Sequence, residues 1–408
     1  MTRRLYLEDS HLTRCRARVL SCTPAQAGYD LTLDQTVFFP NAGGQPCDTG
    51  TLRFPGGAVT VTGCDETDDA LVHHADRPVP AGTDVEAEID WARRFDHMQQ
   101  HTGEHLLSWC AFQRFDAVNV GFHLSETYGT IDLDRPLDAA QLQELEQAAN
   151  ELAARDLVVT AASYASEAAL EGLPLRKHAE GLTAPIRVVT IEGADCCTCC
   201  APHCARTGEI GMLFLTDAVA WKGGVRLTFL CGLRALRHAR AMHDAVDRLA
   251  RRFSTGRENV EAAVQKQADE LSAARRAERA LGARVSAYLA QELRAGAERA
   301  GRALLVAAQV DGVEAKALRP LAQQALCDAP TLVFLLAADE SRVQYVLLCS
   351  DGVGLDMGEL CQAVNAALGG KGGGRGTMAQ GSAPVRDGLS EAFAQLKGYL
   401  AQRLRAAR

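Results

Sequence analysis

Two histidines four residues apart, His101 and His105, stand beside Glu104 in the run Met98-Gln-Gln-His101-Thr-Gly-Glu104-His105-Leu-Leu. Residues i and i+4 share one face of a helix, so both imidazoles can reach a single zinc ion from consecutive turns. Far downstream the chain supplies thiols, in Asp195-Cys196-Cys197-Thr198-Cys199-Cys200-Ala201-Pro202-His203-Cys204. Cys199 and His203 have Cys-x-x-x-His spacing. With the histidine pair they make a four-ligand set of the type zinc favours, suited either to catalysis at the metal or to stapling two halves of a domain.

Two other assignments compete. His101-x-x-Glu104-His105 also spells the His-x-x-Glu-His signature of inverted zinc peptidases, which predicts a catalytic Glu104 and a carboxylate ligand on a later helix. Cys196 with Cys199, or Cys197 with Cys200, has Cys-x-x-Cys spacing and forms half of a zinc knuckle whose second half is missing. A further binding feature is Thr36-Val-Phe-Phe-Pro-Asn-Ala-Gly43-Gly44-Gln45-Pro46. Tandem glycines let the backbone approach a ligand and the Gln45 amide can hydrogen-bond it, although the same pattern also reads as a tight turn between strands.

The elements that must position these residues change character along the chain. Alternating runs at 16–22, 29–33, 51–54, 58–62 and 85–89, broken by glycine-rich turns, predict a small β-barrel. From Trp91 the pattern is helical through the histidines. Strands near 118–124 and 128–133, a helix opened by Pro136 and Asp138, a strand near 157–161, a short helix near 166–171 and a strand at 186–191 follow. This order suggests an α+β layer rather than a wound parallel sheet. Beyond Cys231 the chain reads as helical to about Gly301, a helical arm or hairpin, and then resets to strands at 303–308, 331–336 and 344–349 with helices between and after them. The expected fold is α+β, with a glycine-rich β-barrel subdomain at 1–92, a zinc-binding core at 93–232, a helical linker arm at 233–300 and an α/β domain at 301–408.

The chain has 408 residues, 47% hydrophobic and 23% charged, an ordinary balance for globular domains. No apolar run approaches a membrane span and the first residues lack the apolar core of a signal peptide, so a cytoplasmic protein without membrane contact is expected. Fourteen cysteines in such a chain are expected to be reduced, with a tight cluster serving a metal. A net charge of −8 argues against indiscriminate coating of nucleic acid, but not against a local basic surface. Residues 233–257 carry seven arginines against Asp244 and Asp247, and residues 371–408 carry seven basic residues against Asp387 and Glu391.

Four segments, in order, now resemble one family. Thr36-Val-Phe-Phe-Pro-Asn-Ala-Gly-Gly-Gln-Pro, Met98-Gln-Gln-His-Thr-Gly-Glu-His-Leu-Leu, Gly121-Phe-His-Leu and Cys199-x-x-x-His203-x-x-x-Thr-Gly-Glu-Ile-Gly resemble the editing domain of alanyl-tRNA synthetase and the freestanding AlaX-type alanyl-tRNA editing proteins. Gly369-Gly-Lys371-Gly-Gly-Gly-Arg375-Gly-Thr-Met-Ala-Gln380-Gly is similar to the glycine-rich loop of the DHH-associated tRNA-binding domain that ends the long AlaX form.

The resemblance implies a zinc ion on His101, His105, Cys199 and His203, with Gln45 and Thr36 at the aminoacyl pocket and Thr36 the candidate for recognising a serine hydroxyl. It implies hydrolysis of serine, and secondarily glycine, from misacylated tRNA for alanine, with Glu104 either activating water or orienting a histidine. The tRNA is expected to place its acceptor end at the zinc site and its elbow on the C-terminal domain, where Lys371, Arg375 and Gln380 are the candidate contacts. That domain is also the candidate seat of a homodimer. A non-catalytic tRNA-binding module is the remaining alternative. A full synthetase is not expected, because the barrel begins almost at Met1. The chain departs from the family pattern at Asn41-Ala42, at Cys200-Ala201-Pro202 and at Gly376-Thr377.

Overall fold

The computed structural model describes residues 2–67, 70–177, 184–339, 341–385 and 387–407. The chain divides into two compact units, Met1–Arg252 and Phe253–Arg408. No helix among the described residues is long and apolar enough to cross a membrane.

In the first unit, β1 (Arg14–Ala25), β2 (Gly28–Leu33), β3 (Gly50–Phe54), β4 (Gly57–Glu66), β5 (Leu71–Ala75) and β6 (Asp84–Ile89) close an antiparallel barrel in the order β1-β2-β5-β4-β3-β6. Alternation builds its interior. Leu31, Leu33, Leu52, Val59, Val61, Leu71, Ala75 and Ala87 are fully or almost fully buried, while their neighbours face outward, as period-2 strands require. Five of the six strands lie where the alternation puts them. The sixth, Leu71-Val-His-His-Ala, was not anticipated because its inward position is taken by a histidine, His73, that is completely buried.

Helix α1 (Trp91–Phe115) follows directly. Asp90 caps its start by accepting the Arg93 amide, and Asp116 ends it in the left-handed region at φ 52°, which stops the helix cleanly. The helix is enclosed on nearly every side. Met98, Leu106, Leu107, Cys110 and Ala111 pack with α2 (Ala139–Ala154) and with the antiparallel sheet β12-β13-β8-β7, made of β7 (Asn119–Leu124), β8 (Gly129–Leu133), β12 (Leu213–Trp221) and β13 (Gly224–Cys231). Its polar face meets the barrel loop and the three-stranded sheet β9 (Val159–Tyr164), β10 (Ile186–Ile191) and β11 (Cys196–Thr198). The antiparallel sheets agree with the expected α+β layering.

A buried ion pair ties the helix to the barrel. Arg94 and Asp48 are both fully enclosed; Arg94 Nε lies 3.1 and 3.0 Å from the two carboxylate oxygens, and its amino groups reach the carbonyls of Ser10 at 2.9 Å and Val37 at 2.6 Å. Asp48 also accepts the Phe39 amide at 2.7 Å. Every polar atom of the pair that the fold encloses therefore has work, the condition under which a buried pair holds geometry. The segment it pins is the loop that carries Gln45. Helix α3 (Gly232–Arg252) ends the unit.

The second unit opens with α4 (Val260–Ala295); the stretch expected as a helical arm or hairpin holds two helices, α3 and α4, with residues 253–259 between them. Its sheet runs β14-β15-β16-β17-β19-β18, from β14 (Glu298–Ala300), β15 (Ala303–Gln309), β16 (Thr331–Ala338), β17 (Arg342–Cys349), β18 (Lys371–Arg375) and β19 (Met378–Pro384), with α5 (Ala315–Gln324), α6 (Met357–Leu368) and α7 (Leu389–Ala406). Within this sheet, among the described residues, only β15 and β16 pair in parallel. The glycine-rich stretch expected as a loop is the β18–β19 hairpin. A Cβ at Gly374 would sit 2.2 Å from the Met378 carbonyl, so the close pairing itself demands glycine.

Candidate active site

Three imidazoles and one thiol converge where α1, the barrel loop and the segment after β11 meet. One ligand atom from each of His101, His105, Cys199 and His203 lies within 4.8 Å of all the others. Cys199 Sγ stands 3.5 Å from His101 Nε2 and 3.3 Å from His203 Nε2. The two pairs recognised separately in the sequence are thus one cluster.

Each imidazole has its other nitrogen held from behind. His101 Nδ1 faces Gln45 Oε1 at 2.9 Å, His105 Nδ1 faces Asp195 Oδ2 at 2.9 Å, and His203 Nδ1 faces Thr102 Oγ1 at 3.1 Å. The Gln45 and Asp195 oxygens can only accept, which selects for His101 and His105 the tautomer whose Nε2 lone pair is free, the arrangement typical of metal-binding histidines, while the Thr102 hydroxyl holds the His203 ring in place. Asp195 is fixed in turn by Arg176, whose Nε and Nη2 lie 2.6 and 2.9 Å from its oxygens.

Protonation sorts the thiols. Burial opposes ionisation of Cys199, but its contacts with the His101, His203 and His105 imidazoles outweigh it and hold the thiol well below its usual range. Burial pushes Cys197 and Cys200 up and takes Cys204 up to about 12. Burial also holds His203 down to about 3, whereas at His105 the neighbouring Cys197 and Asp195 outweigh burial and hold the ring well above its usual range, with a proton that a metal binding there would displace. The donor set therefore fits a tetrahedral metal site, one thiolate with three imidazoles. A second grouping, His105, Asp195 and Cys197, does not compete, since Asp195 is committed to Arg176 and His105. The peptidase pattern required a carboxylate ligand, and this four-donor cluster has none.

Beside the cluster lies a cavity of about 450 Å³, lined among others by Phe39, Gly43, His101, Glu104, His105, Phe122, Lys177, Arg187 and Cys199. Glu104 faces it with one oxygen anchored: Ser108 Oγ donates at 2.5 Å and Asn119 Nδ2 at 2.6 Å, both to Oε1. Its Oε2 lies 3.8 Å from His105 Nε2 and receives no hydrogen bond among the described residues. Gly43 and Gly44 take positive φ, 59° and 76°, and a Cβ at Gly44 would meet the Phe122 carbonyl at 2.8 Å. That turn brings Gln45 to His101. The Gln45 Nε2 is buried with no partner.

Thr36 is fully buried and outside the cavity lining. Its Oγ1 sits 2.8 Å from His73 Nε2 and accepts the Phe38 amide at 3.1 Å. His73 Nδ1 faces the Leu31 carbonyl at 3.3 Å, so Nε2 is the acceptor and Thr36 gives its hydroxyl proton to it. Lys371 and Arg375 are exposed on β18, with Gln380 opposite Gly373 on β19. Thr102, Asp195, Asn119, Ser108 and Arg176 had no assigned role in the sequence. Their signal was proximity: Thr102 and Asp195 adjoin ligand motifs, and each metal-binding imidazole needs an outer partner.

Residues 303–402 match the DHHA1 domain, and residues 186–226 match the threonyl and alanyl tRNA synthetase second additional domain. Among known proteins, Alanyl-tRNA editing protein Aarsd1 of Mus musculus is 28% identical over 408 residues, covering 96% of this chain and 97% of its own. Alanine–tRNA ligase of Pyrococcus abyssi is 28% identical over 390 residues, 93% of this chain and 42% of the ligase. The crystal structure of the C-Ala domain from Aquifex aeolicus alanyl-tRNA synthetase shares 28% identity over 26% of this chain and 97% of its own, with a TM-score of 0.24.

Proposed function

From a chain similar over nearly its whole length to alanyl-tRNA editing proteins, we propose that it is an aminoacyl-tRNA deacylase acting in trans on misacylated tRNA for alanine, taking the seryl ester first and the glycyl ester second. The observation that carries the reading is the four-donor cluster opening beside a cavity, with each imidazole fixed from behind. We assign the cluster to zinc, held by His101, His105, Cys199 and His203. When bound, zinc supplies a Lewis acid at the cavity wall that orients and polarises the aminoacyl ester.

The protein's own groups do the rest. Gln45 and Asp195 keep His101 and His105 in the ligating tautomer, and Thr102 holds the His203 ring in position. The anchored Glu104 presents Oε2 to the cavity, where a carboxylate can hold and orient the attacking water by hydrogen bonding. Gln45 Nε2, buried and unpaired, is a donor that a carbonyl oxygen or hydroxyl of the substrate would satisfy. Thr36 acts on serine selection through the Phe38–Phe39 segment whose amide it holds, with its hydroxyl oriented by His73. A pocket that pairs a serine hydroxyl leaves a polar group unpaired when alanine enters, and sites of that kind discriminate by roughly 10⁴-fold.

The DHHA1 match supports a tRNA contact by the second unit, with Lys371, Arg375 and Gln380 as its phosphate-facing side chains and the tRNA elbow as their target. We assign 1–92 to the barrel subdomain, 93–232 to the editing core, 233–300 to the linker arm and 301–408 to tRNA binding and self-association. Initial rates on seryl-, glycyl- and alanyl-tRNA, with zinc measured in the same preparation, test the proposal. Binding of tRNA with all three esters left intact would leave a non-catalytic module instead.

A further inference from the structure

Four cations line the cavity beside the metal cluster: Arg4, Arg176, Lys177 and Arg187. Two are neutralised within the fold, Arg4 by Glu66 and Arg176 by Asp195. Lys177 and Arg187 have no carboxylate within ion-pair distance among the described residues. Lys177 is exposed, and among the described residues its Nζ donates only to the Asn119 carbonyl, at 3.2 Å. Arg187 is 8% exposed. Its Nη1 donates to the carbonyls of Cys199 at 3.0 Å and Ala201 at 2.7 Å, and its Nε is buried with no hydrogen-bond partner among the described residues. A guanidinium enclosed to this degree with no carboxylate beside it, and only the cluster's Cys199 sulfur as a nearby negative group, is costly unless a ligand supplies a further charge.

The two residues flank one strand. Cys199 N donates to the Arg187 carbonyl on one side of β11, and Lys177 bridges to Cys197 on the other. The strand leads directly into Cys199, so an anion held between them lies against the wall that carries the thiolate ligand. The aminoacyl end of a tRNA has an ammonium group and no carboxylate. Its nearest formal negative charge is the phosphodiester joining the last two nucleotides.

We infer that Arg187 and Lys177 form an anion subsite that receives the terminal internucleotide phosphodiester of the tRNA and thereby registers the aminoacyl ester against the metal cluster. The inference rests on the deacylase reading above. Arginine contributes a fixed fork and lysine a mobile point charge, a pairing suited to a diester whose two free oxygens diverge.

The test compares two small substrates, 3′-O-seryl adenosine and 3′-O-seryl adenosine 5′-methylphosphate, which differ only by the charged diester. Wild-type protein should hydrolyse the phosphorylated ester with kcat/KM about tenfold or more above the other, the scale of a charge-assisted contact. In Arg187→Gln and Lys177→Gln the ratio between the two esters should fall toward one, and Lys177→Glu should bring it below one. Because each ratio is taken within a single variant, shared losses cancel. If Arg187→Gln fails to fold through loss of its bonds to the Cys199 and Ala201 carbonyls, the Lys177 variants carry the test. A wild-type ratio of one, or a ratio the variants leave unchanged, overturns the subsite and would point to the released amino acid's carboxylate as the anion these cations serve. Seryl-tRNA is assayed alongside: wild-type protein that leaves it and both small esters intact removes the deacylase reading, and the subsite with it, while equal rates on seryl-tRNA in wild type and Lys177→Glu overturn the subsite alone.

Discussion

Oε1 of Gln45 lies 2.9 Å from Nδ1 of His101, and this bond joins the glycine-rich turn of the barrel to the central helix at a ring whose other nitrogen faces Cys199. Replacing Gln45 with Leu preserves bulk and removes the acceptor, leaving the Nδ1–H buried without a partner. Zinc affinity should fall about 10- to 100-fold, the usual effect of losing an outer partner of a ligand. Competition with a chelator of known affinity measures it, and an unchanged affinity would show that Gln45 does not orient the ring.

His73 gives the barrel a pH-dependent stability. Burial holds its imidazole down to about 4, against about 6.5 in an unfolded chain. Below about pH 6.5 the unfolded chain takes up a proton that the folded one refuses. This contribution to stability is therefore full above that pH, is lost as pH falls toward 4, and then levels off. The loss should be roughly 3 kcal/mol. Denaturant titrations at pH 7 and pH 4.5 should show a smaller difference for His73→Gln than for wild type.

The Arg94–Asp48 pair should be expensive to halve. Asp48→Ala leaves a fully buried guanidinium uncompensated and is expected to cost about 3–5 kcal/mol, read as a fall in denaturation midpoint. The double replacement Arg94→Met with Asp48→Leu should cost less than Asp48→Ala alone, because no buried charge is stranded.

In the second unit, replacing Lys371 and Arg375 together by Ala should weaken binding of tRNA and flatten its salt dependence. Each lost phosphate contact lowers the log–log slope by roughly one unit. Affinities measured at several salt concentrations separate this from a uniform loss, and unchanged affinity would reassign the hairpin to another role.

Much of the molecule was legible in the sequence where pattern and burial coincide. Alternation located five barrel strands, Asp138 marked a helix start that is a full capping box with Gln141, and the ligand spacings of His101, His105, Cys199 and His203 pointed to one another across the chain. What was not legible depends on tertiary context. His73 reads as polar and so hid a strand, although its buried ring serves Thr36. Thr36 stood next to the glycine turn, yet only the fold reveals that its hydroxyl is turned toward His73 and away from the cavity lining. Asp195 looked like a bystander to the cysteine cluster, and its pairing with Arg176 and His105 follows from a register that no local spacing encodes.

The account turns on the Cys199 thiolate as part of the site that cleaves the ester. Zinc content and the initial rate of seryl-tRNA deacylation, measured together in wild type and in Cys199→Ala, test this most directly. Wild type should carry one zinc per chain and deacylate rapidly, with both lost in the variant. Full deacylation by zinc-free Cys199→Ala protein would contradict it.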